Sequence, residues 1–432
     1  MNQQKAFAKT EQPLPSPKPK FFYGWVVVGI TLIVLLNEAA VSAAPGVMLD
    51  AMLADTGWSR TLIASAVSLG LVLFGLGAPF SGALIGRFGP RRIALMGLGL
   101  TVIAMFISAN IRAPWQLNIF YGALRGLGAA LAGSVIGASV ANRWFAARRG
   151  LITGLFGAST SAGQLIFIPV LTQLTDATSW RTTVLALAIS TMSLLLPVLF
   201  LMRDEPAQMG LLPYGAAHPA LAAPSAPTAA TSLRAVMSLA VRTPTFWLLA
   251  GTFFVCGFSS NGIIGQHFKS YAKDCGISSG TAALLLSLMG IMNFFGTLFS
   301  GWLTDRYDPR KLLAVYYTFR GLSLLMLPFL RQEIPLIFFM VLFGLDYIAT
   351  VPPTVALCAD AFGRKNVGAV YGFVFCAHQL GAALANAMGG AVRQTFGQYT
   401  LAFLAAGILA VAAGMLSLRI QRGAAGPVLA VA

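Results

Sequence analysis

The sequence predicts an all-α integral membrane protein of twelve transmembrane helices, arranged as two six-helix bundles related by a parallel repeat. Three observations carry that expectation. The 432 residues are 57% hydrophobic and only 10% charged, with a mean hydropathy of +0.77, whereas soluble domains carry about a quarter charged residues. Twelve apolar runs follow one another, each long enough to cross about 30 Å of hydrocarbon at about 1.5 Å per residue. Short motifs recur at one offset, so the second half of the chain repeats the first.

Residues 1–21 open the chain as a polar tail whose first twenty positions hold four prolines and four lysines; they read as a disordered basic segment. The first run, 22–48, ends on small residues at Ser42–Ala44 that imitate a leader-peptide cleavage site. Asn37 and Glu38 interrupt it, and it has a counterpart later in the chain, so it reads as a first span. Residues 22–202 then form an N-terminal bundle with runs at 22–48, 61–83, 93–111, 117–141, 151–174 and 182–202. The longest connection, 203–244, is rich in Ala and Pro between Pro213 and Pro227 and reads as a flexible linker. Residues 245–418 form the second bundle, with runs at 245–268, 281–301, 312–330, 334–359, 367–390 and 399–418, and 419–432 form a tail. Every run must be helical, because lipid offers backbone polar groups no partner.

A formal charge of +16 would point to nucleic acid in a soluble protein. Here its distribution says otherwise. Of the 29 lysines and arginines, 20 fall in the tails, the linker and the loops on their side, 7 in the opposite loops, and Arg125 and Arg320 inside runs. The excess of positive charge places both tails, the linker and the loops on their side in the cytoplasm, with the chain in the cell membrane and the bilayer, not nucleic acid, as its surroundings. Cys256, Cys275, Cys358 and Cys376 show no metal-binding spacing; they read as small buried hydrophobes. No nucleotide-binding loop, serine-nucleophile elbow or zinc-protease motif occurs. The expectation is therefore a non-enzyme with no cofactor and no metal, acting as a monomer.

The repeat is explicit. Gly82-Ala-Leu-Ile-Gly86-Arg87-Phe88-Gly89-Pro90-Arg91-Arg92 matches Gly301-Trp-Leu-Thr-Asp305-Arg306-Tyr307-Asp308-Pro309-Arg310-Lys311 at an offset of 219. Asp55-Thr-Gly57-Trp-Ser59 matches Asp274-Cys-Gly276-Ile-Ser278 at 219, and Leu124-Arg125-Gly126-Leu127 matches Leu342-Phe343-Gly344-Leu345 at 218. Parallel six-span repeats are the mark of a two-bundle transporter.

On these residues the chain resembles the major facilitator superfamily over about 22–420. The two long segments look like that family's loop motif between spans 2 and 3 and between spans 8 and 9. The resemblance implies a cytoplasmic gate built on Asp305, Arg306, Arg87 and Arg91. Gly86 stands where the first copy usually carries Asp. Trp144-Phe145-Ala-Ala-Arg148-Arg149-Gly150-Leu-Ile-Thr-Gly154, with Tyr23-Gly24-Trp25, resembles the monocarboxylate porter and oxalate/formate antiporter branches. The acidic residue expected just before Tyr23 is missing, and span 8 lacks the basic residue that carboxylate carriers often place there. The resemblance also implies that spans 1, 4, 7 and 10 line a central cavity.

Ionised side chains inside the bilayer cost about 2.5–3.5 kcal/mol each on insertion scales, so each asks for a reason. Asn118, Tyr121 and Arg125 fall on one face of span 4 at i, i+3 and i+7. Arg125 reads as an anion ligand or gate charge, or else as a scaffold charge paired with Glu38 of span 1. Glu38 itself reads as a proton carrier or counter-ion, or as a solvated acid where the helix opens near Pro45. Span 10 places Asp346 near the midplane with Tyr347 beside it, and Pro352-Pro353 predict a break or kink in the helix, suited to a gate or a static bend. His378 of span 11 sits at similar depth; histidine as a residue type changes charge near neutral pH, and it reads as ligand, proton carrier or packing residue. Asn261 of span 7, Gln164 of span 5 and Asn293 of span 8 are uncharged candidate ligands. Arg320, mid-way along span 9, reads as a snorkelling or structurally paired residue.

The resulting expectation is a secondary active transporter of small organic anions, monocarboxylates foremost, working by alternating access. Asp346, Glu38 or His378 would carry a coupling proton, or a counter-anion would exchange. Export of amphipathic or drug-like compounds is the alternative within transport, since 30 Phe residues suit an apolar cavity. A non-transporting receptor on the same scaffold is the alternative from another class.

Overall fold

The structure is a computed structural model that describes residues 21–216 and 233–421. The first twenty residues of the expected basic tail, the middle of the linker and the last eleven residues lie outside the described residues. Twelve helices are long and apolar enough to cross a membrane. Spans 1 to 6 are Gly24–Thr56, Leu62–Phe88, Pro90–Ser108, Pro114–Trp144, Arg149–Ala177 and Trp180–Leu201. Spans 7 to 12 are Pro244–Asp274, Gly280–Thr304, Pro309–Phe329, Glu333–Phe362, Val367–Phe396 and Thr400–Ser417. Among the described residues there is no strand, only an isolated bridge between Phe145 and Tyr214.

Local chemistry explains why the loop motif after span 1 recurs after span 7. Gly57 and Gly276 close their helices at φ 67° and 79°, a conformation that only glycine adopts cheaply. Two residues on, Ser59 and Ser278 cap the next helix, accepting from the amides of Leu62 at 3.3 Å and Thr281 at 3.0 Å. Span 1 runs unbroken through Pro45, so the opening expected there does not occur.

Spans 4 and 10 are both interrupted, and at matching places in the repeat. Span 4 starts with wide π turns at Leu117–Leu124 and breaks at Gly133, before Ser134–Trp144. Span 10 breaks at 347–350, between Glu333–Asp346 and Val351–Phe362. Pro352 and Pro353 occupy the first turn of the second segment, where a missing amide costs nothing. Of the break or kink expected at this pair, the break occurs, and the prolines start the helix that follows it.

The first part of the linker is tied down. Tyr214 donates its amide to Trp144 O at 2.8 Å and accepts from Ala146 and Ala147. Its ring lies among Phe22, Trp25 and Phe145. We call the end of the bundle that carries Tyr214, the span 4–5 loop and most of the basic residues the basic end.

The halves meet along spans 2 and 11 and along spans 5 and 8. Both seams are built on small residues that admit close backbone approach. A Cβ on Gly82 would lie 1.9 Å from Gly368 O, and one on Gly154 would lie 2.7 Å from Thr297 O. The apolar packing records the same asymmetry. One buried cluster draws on both halves, from Ile85, Trp144 and Phe145 to Phe246, Phe362 and Tyr371. Toward the other end each half keeps its own cluster, around Met48 and Trp180 in the first half and Phe268 and Phe403 in the second. The structure is thus closed at the basic end.

Gly82→Ala is expected to hold the basic end apart while leaving each half folded, because the added methyl meets backbone. Gly29→Ala, where a Cβ would meet nothing within 4 Å, should be silent. Distances between spin labels on the two halves at the basic end measure this. A closed-state distance in folded Gly82→Ala protein would show that the seam has room to spare.

Candidate functional site

The first half contributes spans 1 and 4. Arg125 is 5% exposed and donates from Nη2 to Ser42 Oγ at 2.6 Å. Its Nε has no partner. Glu38 lies one turn before Ser42 on span 1, hence on the same face, and is buried with neither carboxylate oxygen bonded. Sequence spacing suggested that Glu38 and Arg125 meet. They form no ion pair: the guanidinium donates to Ser42, one turn after Glu38 on span 1.

The π turns of span 4 alter the face expected from simple helical spacing, since each residue advances less around the axis. Asn118 is consequently turned toward span 2, accepting from Ser65 Oγ at 3.3 Å and donating to Pro114 O at 3.4 Å. Tyr121 is buried with its hydroxyl unpaired, against a small apolar cavity shared with Pro45, Met48 and Trp180. Asn118 does not join Arg125 in a single row.

The second half contributes spans 7 and 10 at matching positions. Tyr347 donates from Oη to Asn261 Oδ1 at 2.9 Å. Asn261 stands 219 residues after Ser42, and both are exposed near the middle of their spans. Polar side chains at that depth do not face hydrocarbon, so Ser42 and Asn261 mark the space between the halves. Each is held by the interrupted helix of its own half, span 4 or span 10.

Asp346 is not free. Arg320 of span 9, 0% exposed, donates from Nε to Asp346 Oδ2 at 2.6 Å. From Nη2 it donates to the carbonyls of Asp346 at 2.6 Å and Tyr347 at 3.1 Å, and from Nη1 to Cys256 Sγ at 3.1 Å. The guanidinium therefore caps the carbonyl end of the first segment of span 10, where orphan carbonyls and the helix dipole both call for a cation. Of the snorkelling and pairing readings of Arg320, pairing holds. The intramembrane charge of Asp346 was the signal that a partner had to exist.

The remaining candidates are dispersed. His378 bonds Gln379 Oε1 through Nδ1 at 2.9 Å, and its ring packs between Phe253 and Phe375 at 4.8 and 5.7 Å. Gln164 is exposed on span 5, and no hydrogen bond ties it to another candidate among the described residues. Asn293 is buried in the seam between spans 5 and 8.

Of the four charged gate candidates, Asp305 alone crosses between the halves. Its carboxylate accepts from the amides of Gly150 at 2.7 Å and Leu151 at 2.9 Å, at the start of span 5, where helix polarity favours an anion. Arg306 stacks on Trp302 of its own span, 3.9 Å from the ring. Arg87 lies over Phe88, 5.1 Å from its ring. Arg91 binds within the first half, its side chain to Leu199 O and its amide to Asp204 at 2.9 Å. A residue that motif reading missed completes the clamp. Arg364, in the loop before span 11, donates to the carbonyls of Asn142 and Phe145 at 2.7 Å, at the end of span 4. Burial, and then the Arg149 charge, hold its guanidinium below the ordinary arginine range. The second half thus grips the span 4–5 loop with an anion at the amide end and a cation at the carbonyl end.

The family model of the Major Facilitator Superfamily matches residues 30–271 and 253–428. The chain is 28% identical over 355 residues to YcxA of Bacillus subtilis, an uncharacterised MFS-type transporter, covering 79% of this chain and 81% of that one. It is 26% identical over 423 residues to monocarboxylate transporter 12-B of Danio rerio, covering 91% and 86%. Among solved structures, the proton:xylose symporter XylE matches at a TM-score of 0.70 and 16% identity, covering 93% and 96%. FucP matches at 0.69 and 16%, covering 93% and 100%.

Two outcomes are expected here. Asp305→Asn turns an amide N–H toward the amides of span 5. Because the carboxylate is exposed, the loss should be about 1 kcal/mol, a roughly fivefold shift away from the basic-end-closed state. Labelling of a cysteine placed in the seam reads it, and an unchanged rate removes Asp305 from the gate. Arg320→Gln should cost about 3–5 kcal/mol of stability by orphaning a buried carboxylate. Asp346→Asn, which still offers Nε an acceptor, should cost less. Thermal unfolding that ranks these two the other way would contradict the capping role.

Proposed function

The chain belongs to the Major Facilitator Superfamily, and on that premise we propose that it is a secondary active transporter of small organic anions, monocarboxylates foremost, with Arg125 as the anion ligand and Glu38 as the proton carrier. One observation carries the reading. Arg125 reaches the space between the halves through Ser42, while Glu38, on the same face of span 1, is buried with both oxygens unbonded. Arginine stays protonated at any physiological pH and offers a planar fork that fits a carboxylate. The monocarboxylate transporter among the relatives supports the substrate class.

The coupling follows from competition. An ionised Glu38 and a substrate carboxylate both seek Arg125. A proton on Glu38 removes the competitor and lets the anion take the guanidinium. With proton and substrate bound, the charge inside the site is what it was when both were absent, so the halves rock without carrying extra charge through the bilayer. Asp346 is assigned to the scaffold instead, since Arg320 already holds it. Asn261 and Tyr347 face the anion from the second half and would take its hydroxyl or keto oxygen. The excess of positive charge supports a cytoplasmic basic end, so the structure is read as closed to the cytoplasm. Opening then separates the Asp305 and Arg364 contacts from the span 4–5 loop.

Binding of pyruvate and L-lactate to purified protein, followed by thermal stabilisation between pH 5.5 and 8, tests the assignment. Affinity should rise as pH falls. Arg125→Gln should abolish the stabilisation, and Arg125→Lys should weaken it by about tenfold, since a charge-assisted pair is worth about 1.5–3 kcal/mol. Glu38→Gln should bind at all these pH values with the dependence flattened. Near-normal affinity in folded Arg125→Gln protein ends the anion-ligand assignment. A pH dependence that survives Glu38→Gln moves the proton elsewhere.

A further inference from the structure

Asn293 is 4% exposed near the middle of span 8, and both polar atoms of its amide are engaged. Nδ2 donates across the seam to Ser161 Oγ of span 5 at 2.5 Å. Oδ1 accepts from Thr297 Oγ1 at 3.0 Å and from the backbone amide of Ile348 at 3.1 Å. With its donor and acceptor committed this way, Asn293 has little left to offer a ligand.

Ile348 lies in the break of span 10, next to Tyr347. A broken helix leaves amides and carbonyls without helical partners, and hydrocarbon supplies none. Three side chains repair this break, Ser300 of span 8 donating from Oγ to the Ala349 carbonyl at 2.5 Å. Arg320 takes the carbonyls of Asp346 and Tyr347. It belongs to the same half as span 10 and moves with it. Asn293 takes the Ile348 amide, and its own orientation is held by Ser161, which belongs to the other half.

We propose that Asn293 is a positioning residue that ties the break of span 10 to closure of the basic end. While spans 5 and 8 are together, Ser161 fixes the Asn293 amide, its oxygen holds Ile348, and Tyr347 is presented to Asn261. When the spans part, Ser161 is withdrawn, the amide is free to turn, and the break loosens on the side that faces the site. The state of the gate is thereby read at the substrate's position through three groups. The inference rests on the alternating-access reading, and its test needs no substrate, so it stands or fails apart from the identity of the anion.

Hydrogen exchange at residues 347–350 of the full-length protein in nanodiscs reads the coupling. Asn293→Ala removes the acceptor and should speed exchange there by about two- to tenfold, the worth of one neutral hydrogen bond. Ser161→Ala should do so as well, by at least twofold, although Ser161 lies across the seam from span 10. Ser161→Thr, which keeps the hydroxyl, should restore the wild-type rate. A local cap would respond to Asn293→Ala alone, so wild-type exchange in Ser161→Ala overturns the proposal. Should Ser161→Ala not fold, Asp305→Asn opens the same seam from its end, and wild-type exchange at 347–350 in that variant overturns it equally.

Discussion

Inside hydrocarbon, a polar group has only the protein to bond with, and the organisation of this molecule follows from that constraint. It forces every span to be helical, and it makes each interruption a feature that other side chains must complete. Span 10 shows the consequence most fully. Its break exposes carbonyls on one side and an amide on the other. A fully buried arginine from span 9 meets the first, and an asparagine from span 8 meets the second. Three spans of the second half are thereby locked around one discontinuity, which also sets Tyr347 against Asn261.

The same constraint separates scaffold from chemistry. In the second half, the buried acid and base are bonded to each other, with only Asp346 Oδ1 left without a partner. In the first half, Glu38 and Arg125 lie near one serine with bonding capacity unused. Unused capacity at that depth is costly and is tolerated where a ligand or proton supplies what is missing. Asymmetry recurs at the basic end. Asp305 grips the start of span 5, while the matching position of the first half is Gly86. The grip on the span 4–5 loop therefore comes from the second half, through Asp305 and Arg364.

Much of this was legible in the sequence. Hydropathy located all twelve spans, with ends within about three residues except that spans 1, 2, 7 and 11 continue further, to Thr56, Phe88, Asp274 and Phe396. The offset of 219 identified the halves, and Asp305 stood out in the repeated loop motif. Partner choice was far less legible. Asp346 announced that it needed a cation, but the chain offers several, and depth along a span does not say which helices touch. Asn118 was misplaced because π turns leave no mark in a spacing count. Pro352 and Pro353 marked the break of span 10, but not that they would sit in the first turn after it, since a proline pair fits a helix start as well as a kink. Ser42, Ser161 and Arg364 went unseen, because a small polar residue and a loop arginine carry no signal until the fold brings them to a partner.

Counterflow in proteoliposomes bears most directly on the central claim, that the space between the halves carries a small organic anion. Vesicles loaded with unlabelled pyruvate or lactate are diluted into trace labelled substrate at symmetric pH. The account expects transient accumulation of label, abolished by Arg125→Gln, and none for neutral or cationic compounds of similar size. Absence of exchange for every carboxylate tried, together with exchange of a neutral amphipathic compound that Arg125→Gln leaves intact, would contradict it.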